Sequence, residues 1–162
     1  MKNKNNIDDL INLIITDVNV EHVANYCDDL DLDQAGENGR TPLMVASAAG
    51  RLEVVKVLLK KGANPQACGF RLMTPIHEAC SNGQVEVAKC LIDLRAELNS
   101  VSSDGLTPLM CAAAWGYTNV VQLLLNKGAN KLMKDNLGAT AIDIAREKGE
   151  HTLADFIDKF HL

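Results

Sequence analysis

Histidine and cysteine side chains could bind a transition metal or take part in nucleophilic catalysis. The chain has four histidines and five cysteines, which are His22, His77, His151, His161, Cys27, Cys68, Cys80, Cys90 and Cys111. No set of them has the spacing of a zinc site, and no C-x-x-C pair occurs. The sequence therefore predicts no metal centre and no cofactor, and the odd number of cysteines argues against a disulfide framework.

Nucleophilic catalysis by a Cys–His pair would require a cleft and a third group that orients the base. Cys80, Cys90 and Cys111 fall where helices are expected to pack, and the chain has no phosphate-binding glycine loop. The acidic run at residues 28–33 (Asp28, Asp29, Asp31, Asp33) lacks the spacing of a calcium loop, so we interpret it as a solvated turn. We expect no enzymatic activity; a cryptic enzyme would instead show turnover that depends on His77 or Cys80.

The positions of these residues in the fold depend on a sequence motif that is repeated along the chain. Four threonines lie 33 residues apart, and each opens a similar phrase: Thr41, Thr74, Thr107 and Thr140. The phrases at residues 41–46 and 107–112 read T-P-L-M-V-A and T-P-L-M-C-A, and L-L-x-x-G-A recurs at 58–63 and 124–129. A fixed period in this range indicates a stack of similar small units, which bind through their shared surface.

One unit, residues 36–68, illustrates the local structure that the repeat predicts. Its first four residues, 36–39, have the composition of a turn. Thr41 can cap a helix over about 42–49 with its side-chain oxygen. Pro42 fits the first turn of that helix, where no amide donor is needed. A second helix over about 52–60 carries a wide apolar face, and Gly50 and Gly62 end the two helices.

This two-helix unit with a turn-rich finger resembles the ankyrin repeat. The resemblance rests on the T-P-L-x-x-A phrases, the L-L-x-x-G-A phrases and the glycines that end the first helices. It implies an all-α solenoid of stacked helix-turn-helix units with short β-turn or hairpin fingers. It also implies that His77 hydrogen-bonds backbone between adjacent fingers, and that the concave surface binds another protein.

We expect residues 1–162 to form a single domain of five units. The boundaries are 4–35 for an N-terminal capping unit, 36–68, 69–101 and 102–134 for internal units, and 135–162 for a C-terminal capping unit. Terminal units of a solenoid need a polar outer face, and the charged residues near both ends supply one. Moving the threonine position back by one period gives Asp8, which can also cap a helix.

The second internal unit departs from its neighbours at two turn positions. Leu72 stands where the other units have glycine, so its finger must take a different turn or be strained. Arg95 stands where the other internal units have Gly62 and Gly128. We interpret Arg95 as neutral drift, whereas Leu72 fits either drift or a finger reshaped for a partner.

Charge and hydropathy limit the classes of partner. The net charge is −5, and residues 1–36 hold eight acids and two bases, so the rest is nearly neutral. This distribution argues against nucleic acid and anionic lipid, which would need a basic face. No stretch approaches the about 18 apolar residues of a membrane span. We therefore expect a cytoplasmic or nuclear protein with reduced cysteines.

The predicted binding surface is the concave side formed by finger tips and exposed faces of first helices. Its candidate residues are Arg40, Phe70, Arg71, Met73, Asn82, Asp104, Leu106, Trp115, Tyr117 and Lys148. The apolar members resemble an interface hot spot flanked by arginines. The alternative is that Phe70 and Trp115 fold down and cover the core of neighbouring units.

One position, Asn99, is a candidate for modification. Leu91 lies eight residues before Asn99, which ends the acidic-aliphatic-Asn triplet Glu97-Leu98-Asn99, and this pattern resembles the ankyrin-repeat site of an asparaginyl hydroxylase. The alternative is that Asn99 only hydrogen-bonds the loop between two units.

We expect a monomer that serves as an adaptor, scaffold or inhibitor of a partner protein. The alternative is a regulatory subunit or assembly factor of a larger complex. A lipid- or nucleic-acid-binding module is less favoured.

Overall fold

The fold is a stack of helix pairs. The computed structural model describes residues 6–17 and 19–161, which form ten α-helices and one 3-10 turn, Phe70–Leu72. The helices are α1 (Ile7–Thr16), α2 (Val20–Tyr26), α3 (Pro42–Ala48), α4 (Leu52–Lys60), α5 (Pro75–Ser81), α6 (Val85–Asp93), α7 (Pro108–Ala114), α8 (Thr118–Asn126), α9 (Ala141–Glu147) and α10 (His151–Lys159). Residues 4, 5, 18 and 162, which fall in the predicted terminal units, lie outside the described residues.

The helices are arranged in two rows. The first helices α1, α3, α5, α7 and α9 pack side by side, and the second helices α2, α4, α6, α8 and α10 form a parallel outer row. The first helices of four units carry a fully buried alanine at the same repeat position: Ala46, Ala79, Ala112 and Ala145. Such small side chains allow neighbouring helices to approach closely. The predicted all-α solenoid is confirmed, and no β-strand occurs in residues 6–17 and 19–161.

Threonine caps start the first helices of the units. In α3 the Thr41 hydroxyl accepts a hydrogen bond from the Met44 amide at 3.3 Å, and α7 and α9 begin in the same way. Capping of this kind satisfies an amide that has no partner inside the helix. In α5 the Thr74 hydroxyl contacts Nδ1 of His77 at 2.8 Å, so the histidine joins the cap.

His77 also links its own unit to the next finger. Its Nε2 lies 3.0 Å from the carbonyl oxygen of Leu106, which confirms the predicted role of this histidine. Methionine replaces it in α7 and retains one polar contact there. The Met110 sulfur accepts a hydrogen bond from the Thr107 amide at 3.4 Å, so the substitution loses less polar bonding than the sequence suggests.

The N-terminal helix begins differently from the prediction. Asn6, not Asp8, caps α1, and its side-chain oxygen accepts from the Asp9 amide at 2.8 Å. Asp8 lies inside the first turn of α1, and its Oδ1 accepts from the Glu37 amide at 2.8 Å. The prediction that Asp8 caps the helix is wrong, because this carboxylate bonds the first finger instead.

The acidic run has contacts that the interpretation as a solvated turn does not include. Lys61 Nζ lies 2.6 Å from Asp28 Oδ1, and the Asn64 amide donates to Asp33 Oδ1 at 2.7 Å. Both contacts join the first helix pair to the second. These carboxylates therefore hold two units in register, even though the residues are exposed.

A lysine satisfies the C-terminal end of the last helix. The Lys131 ammonium contacts three carbonyl oxygens, those of Ile157, Asp158 and Phe160, at 3.0, 2.7 and 2.8 Å. The last carbonyls of a helix have no partner inside it, and they carry partial negative charge. Lys131 thereby ties the loop after α8 to the end of α10.

Arg95 takes the left-handed conformation that glycine takes in the neighbouring units. Its φ is 65°, against 99° for Gly62 and 90° for Gly128. A side chain in this region costs about 1–2 kcal/mol relative to the right-handed helix. The departure read from the sequence is therefore a real strain in the backbone that ends α6.

Candidate protein-binding surface

Backbone hydrogen bonds connect the tips of successive fingers. The Phe70 amide donates to Gly39 O at 2.6 Å, and the Ser103 amide donates to Arg71 O at 2.8 Å. A third bond of 3.0 Å joins the next pair of fingers, from residue 136 to residue 104. The fingers therefore form a continuous edge, and residues on neighbouring tips keep fixed distances from each other.

A groove of about 620 Å³ lies between this edge and the first helices. It extends from the first internal unit to the last unit. Eight of the ten residues predicted to bind a partner line it: Arg40, Phe70, Arg71, Met73, Asn82, Asp104, Leu106 and Trp115. The rest of the lining is Asn38, Glu78, Ser81, Met110, Cys111, Ala114 and Ile144.

Two aromatic side chains at the edge of the groove are exposed to solvent. Phe70 is 70% exposed and Trp115 is 67% exposed. The alternative in which they fold down to cover the core is therefore wrong. Met73 and Leu106 are half-buried beside them and pack against the core. Exposed aromatic groups above a concave apolar floor are typical of a protein-binding site.

The second finger, which carries Phe70, is strained. Arg71 and Leu72 both have positive φ, 59° and 55°, whereas the first finger needs only Gly39 at 71°. The sequence prediction that Leu72 imposes a different or strained turn is confirmed. Two consecutive non-glycine residues in this region cost about 1–2 kcal/mol each. A Cβ at Gly39 would lie 2.8 Å from Phe70 Cβ, so that glycine leaves room for the aromatic residue.

Two ion pairs form among the residues that line the groove. Arg40 Nε lies 3.1 Å from Glu78 Oε1, and Arg71 pairs with Asp104 at the finger tips. Glu78 is only 4% exposed. Burial raises the pKa of its carboxyl group, and the adjacent Arg40 partly offsets that rise.

Glu78 is the charged residue of the groove lining that the sequence analysis did not predict. The signal for it was present, because the same repeat position holds Val45, Cys111 and Ile144 in the other units. All three are buried apolar or weakly polar side chains. When the repeat units are aligned, the carboxylate of Glu78 is the one charged side chain at that position.

Tyr117 and Lys148 do not line this groove. The Tyr117 ring packs on Gly83, between the turns that follow α5 and α7. A Cβ added to Gly83 would lie 2.9 Å from Cδ1 of Tyr117. Lys148 is exposed at the end of α9, beside Glu147. The structure therefore brings together the finger residues and Trp115, and leaves these two side chains apart from them.

The thiols and the imidazole of this region are poorly suited to nucleophilic chemistry. Burial raises the pKa of Cys80 well above its usual value and that of Cys111 to about 11. The reactive species would be the thiolate, which these environments disfavour. Burial also lowers the pKa of His77, whose ring is engaged with backbone and with Thr74. Among the described residues, no three His, Cys, Asp or Glu side chains are grouped to hold a metal.

Asn99 has the structural contact that the sequence analysis gave as one alternative. Its side-chain oxygen accepts from the Asn130 amide at 2.9 Å. Asp33 makes the same contact with Asn64 two units earlier, at 2.7 Å. Asn99 therefore joins two units, whatever modification it carries.

None of the helices described is long and apolar enough to cross a membrane.

Family comparisons agree with this architecture. Residues 66–135 match the model for ankyrin repeats in three copies, and residues 38–69 match the model for a single ankyrin repeat. The first and last helix pairs lie outside these matches. No curated protein gives a significant match. Because the two matches cover most of the chain and the stacked helix pairs agree with them, the chain belongs to the ankyrin-repeat family of protein–protein interaction modules.

Proposed function

We propose that this chain binds another protein in the groove lined by Phe70, Met73, Leu106 and Trp115. The observation that supports this site most strongly is the exposure of two large aromatic side chains above one concave surface. Only 4% of the residues of the chain are aromatic, so the exposure of two of them is notable. Aromatic side chains contribute much of the binding energy at interfaces because they bury a large area with little loss of rotamer freedom.

Binding by this surface would rely on rigid presentation. The finger tips are joined by backbone hydrogen bonds, and the helices below them share one core. Little conformational entropy is then lost when a partner docks. We propose that the chain acts as an adaptor, scaffold or inhibitor in the cytoplasm or nucleus, as a single monomeric domain. The alternative role is a regulatory subunit or assembly factor of a larger complex.

The test is capture of partners followed by measurement with the purified proteins. Proteins captured by the wild type are purified and titrated against wild type, a Phe70→Ala/Trp115→Ala double variant and a Leu137→Ala control. Leu137 is 93% exposed on another finger and lines none of the groove. We expect the double variant to weaken binding by at least about 100-fold, or about 3 kcal/mol, and the control to have no effect.

Equal affinity of the double variant and the wild type would refute the groove as the binding site. Cooperative urea unfolding of each variant shows that a loss of affinity is not a loss of fold. A partner whose own activity stops when bound would identify an inhibitor. Simultaneous binding of two captured proteins would instead identify an adaptor.

Modification of Asn99 by an asparaginyl hydroxylase is a separate proposal, which rests on the position of Leu91 and on the triplet Glu97-Leu98-Asn99. It would make the chain a substrate of that enzyme. Mass spectrometry of the chain isolated from cells tests it, since hydroxylation adds one oxygen to the peptide that contains Asn99. An unmodified peptide from cells with active hydroxylase would refute it.

A further inference from the structure

Glu78 is a buried carboxylate in a position that the fold does not require to be charged. The same position of the repeat is Val45 in α3, Cys111 in α7 and Ile144 in α9, and all are buried. Burying a carboxylate is costly unless charges and hydrogen bonds compensate it. Packing alone would favour an apolar side chain here, as in the other units.

We propose that the groove receives a basic side chain, arginine or lysine, of the partner protein, with its cation on Glu78. This inference rests on the proposed function, because it names the chemistry of the partner at the same groove. Glu78 is one of the residues that line the groove. The nearest charged group is Arg40, with Nε 3.1 Å from Oε1.

The present ion pair does not use the full capacity of the carboxylate. A carboxylate has two oxygens with about four lone-pair sites, so it can accept from a second cation while it keeps the first. Arg40 is 45% exposed at its side chain, so it can also turn toward solvent. A partner's guanidinium or ammonium can then share the carboxylate with Arg40 or replace it.

The apolar parts of the groove suit the remainder of a basic side chain. Phe70 and Trp115 stand at the edge, and the faces of aromatic rings attract cations. Met73 and Leu106 lie half-buried below and can pack on an aliphatic stem. An arginine or lysine side chain is apolar along its stem and charged at its tip. It therefore matches a groove with apolar walls and a carboxylate at depth.

The arginines of the groove are both engaged and are not free to bind an anion. Both of its arginines, Arg40 and Arg71, are already paired with carboxylates, those of Glu78 and Asp104. An acidic ligand would have to displace these carboxylates or lie against them with the same sign of charge.

The experiment uses a displayed library of random short peptides, selected on the wild-type protein. Peptides are retained only if they lose binding to the Phe70→Ala/Trp115→Ala variant. We expect the retained peptides to share one arginine or lysine, and citrulline or norleucine at that place to weaken them. Citrulline has nearly the shape of arginine without its charge, so it isolates the contribution of the cation.

The retained peptides are then titrated against Glu78→Gln and against Glu86→Gln. The second variant loses the same charge on an exposed residue of the outer helix α6. We expect Glu78→Gln to weaken binding by about tenfold to 100-fold, as for loss of a charge-assisted hydrogen bond, and Glu86→Gln to change it less than about twofold. Glu78→Val provides a second variant with an apolar side chain, since valine is the residue at the same repeat position in α3 (Val45).

The outcomes separate the two proposals. Peptides that need the aromatic edge but carry no basic residue would overturn the inference and leave the proposed function intact. Equal affinity for wild type and both Glu78 variants would do the same. If no peptide depends on the aromatic edge, the proposed function fails, and the inference fails with it.

Discussion

The buried histidine of the second internal unit should make stability depend on pH in a way that one substitution removes. We consider His77→Met, which introduces the residue that α3 and α7 carry at this position, Met44 and Met110. His77 is 0% exposed, and burial lowers its pKa. Its ring contacts Thr74 on one side and the Leu106 carbonyl on the other.

The cost of the substitution at neutral pH follows from what each partner would retain. The methionine sulfur can accept from the Thr74 amide, as the Met110 sulfur does from its own cap threonine. The Leu106 carbonyl keeps a hydrogen bond from the Ser102 amide at 3.0 Å. No buried group is left without a partner, so we expect a loss of about 1 kcal/mol rather than the larger penalty for an orphaned group.

The dependence on pH has a definite sign. Since the pKa of His77 is lower in the folded protein than the about 6.5 of the unfolded chain, the unfolded chain binds more protons between these two values. Stability contributed by the neutral ring is therefore complete above about pH 6.5 and is lost as the pH falls below it. The limit is about 1.4 kcal/mol per pH unit. His77→Met lacks this contribution.

The assay is urea unfolding followed by circular dichroism from about pH 8 to about pH 5, for wild type and His77→Met. We expect the wild type to be more stable at the upper end and to lose that advantage, or reverse it, at the lower end. Glu78 is present in both proteins, so its own titration cancels in the difference. A difference that stays constant across the range would refute the assignment of a neutral, buried His77.

Two further substitutions test contacts at helix ends. Arg95→Gly should stabilise the protein by about 0.5 kcal/mol, because relief of positive φ exceeds the entropy that glycine adds to the unfolded chain; a lower urea midpoint would contradict this account. Lys131→Met should keep the aliphatic packing but release three carbonyls of α10, at a cost of about 1 kcal/mol. Hydrogen exchange should then accelerate in α10 and not in α3, and unchanged exchange in α10 would contradict the assigned contact.

The regular part of this fold could be predicted from sequence because one physical solution is repeated. A threonine that caps, a proline that tolerates the first turn and a glycine that ends the helix recur at fixed spacing, so each unit supports the prediction for the others. The finger residues of the groove followed from the same register. Phe70 and Trp115 were expected at the surface, and both are exposed there.

The remaining features depend on contacts between units, which no single unit encodes. Asp8 matched the position of a cap, but the nearby first finger offered an amide for its carboxylate. Tyr117 was close in sequence to Trp115, yet its ring packs against Gly83 of the preceding unit. Glu78, by contrast, is distinguished within the sequence, because the same repeat position holds Val45, Cys111 and Ile144 in the other units.

Most of the non-glycine residues that strain the backbone lie in one unit, residues 69–101; among the described residues the other one is Asp29, with φ 66°, at the position of Arg95 in the first unit. Arg71, Leu72 and Arg95 hold backbone that glycine would adopt at lower cost, and Glu78 holds a charge where other units are apolar. Three of these four residues belong to the second finger or to the groove beside it, and Arg95 alone lies apart. Neighbouring units share a core with this one, so they can stabilise a unit that would be weak alone. We propose that recognition is concentrated in this strained repeat, and that its partner binds in the groove beside the second finger.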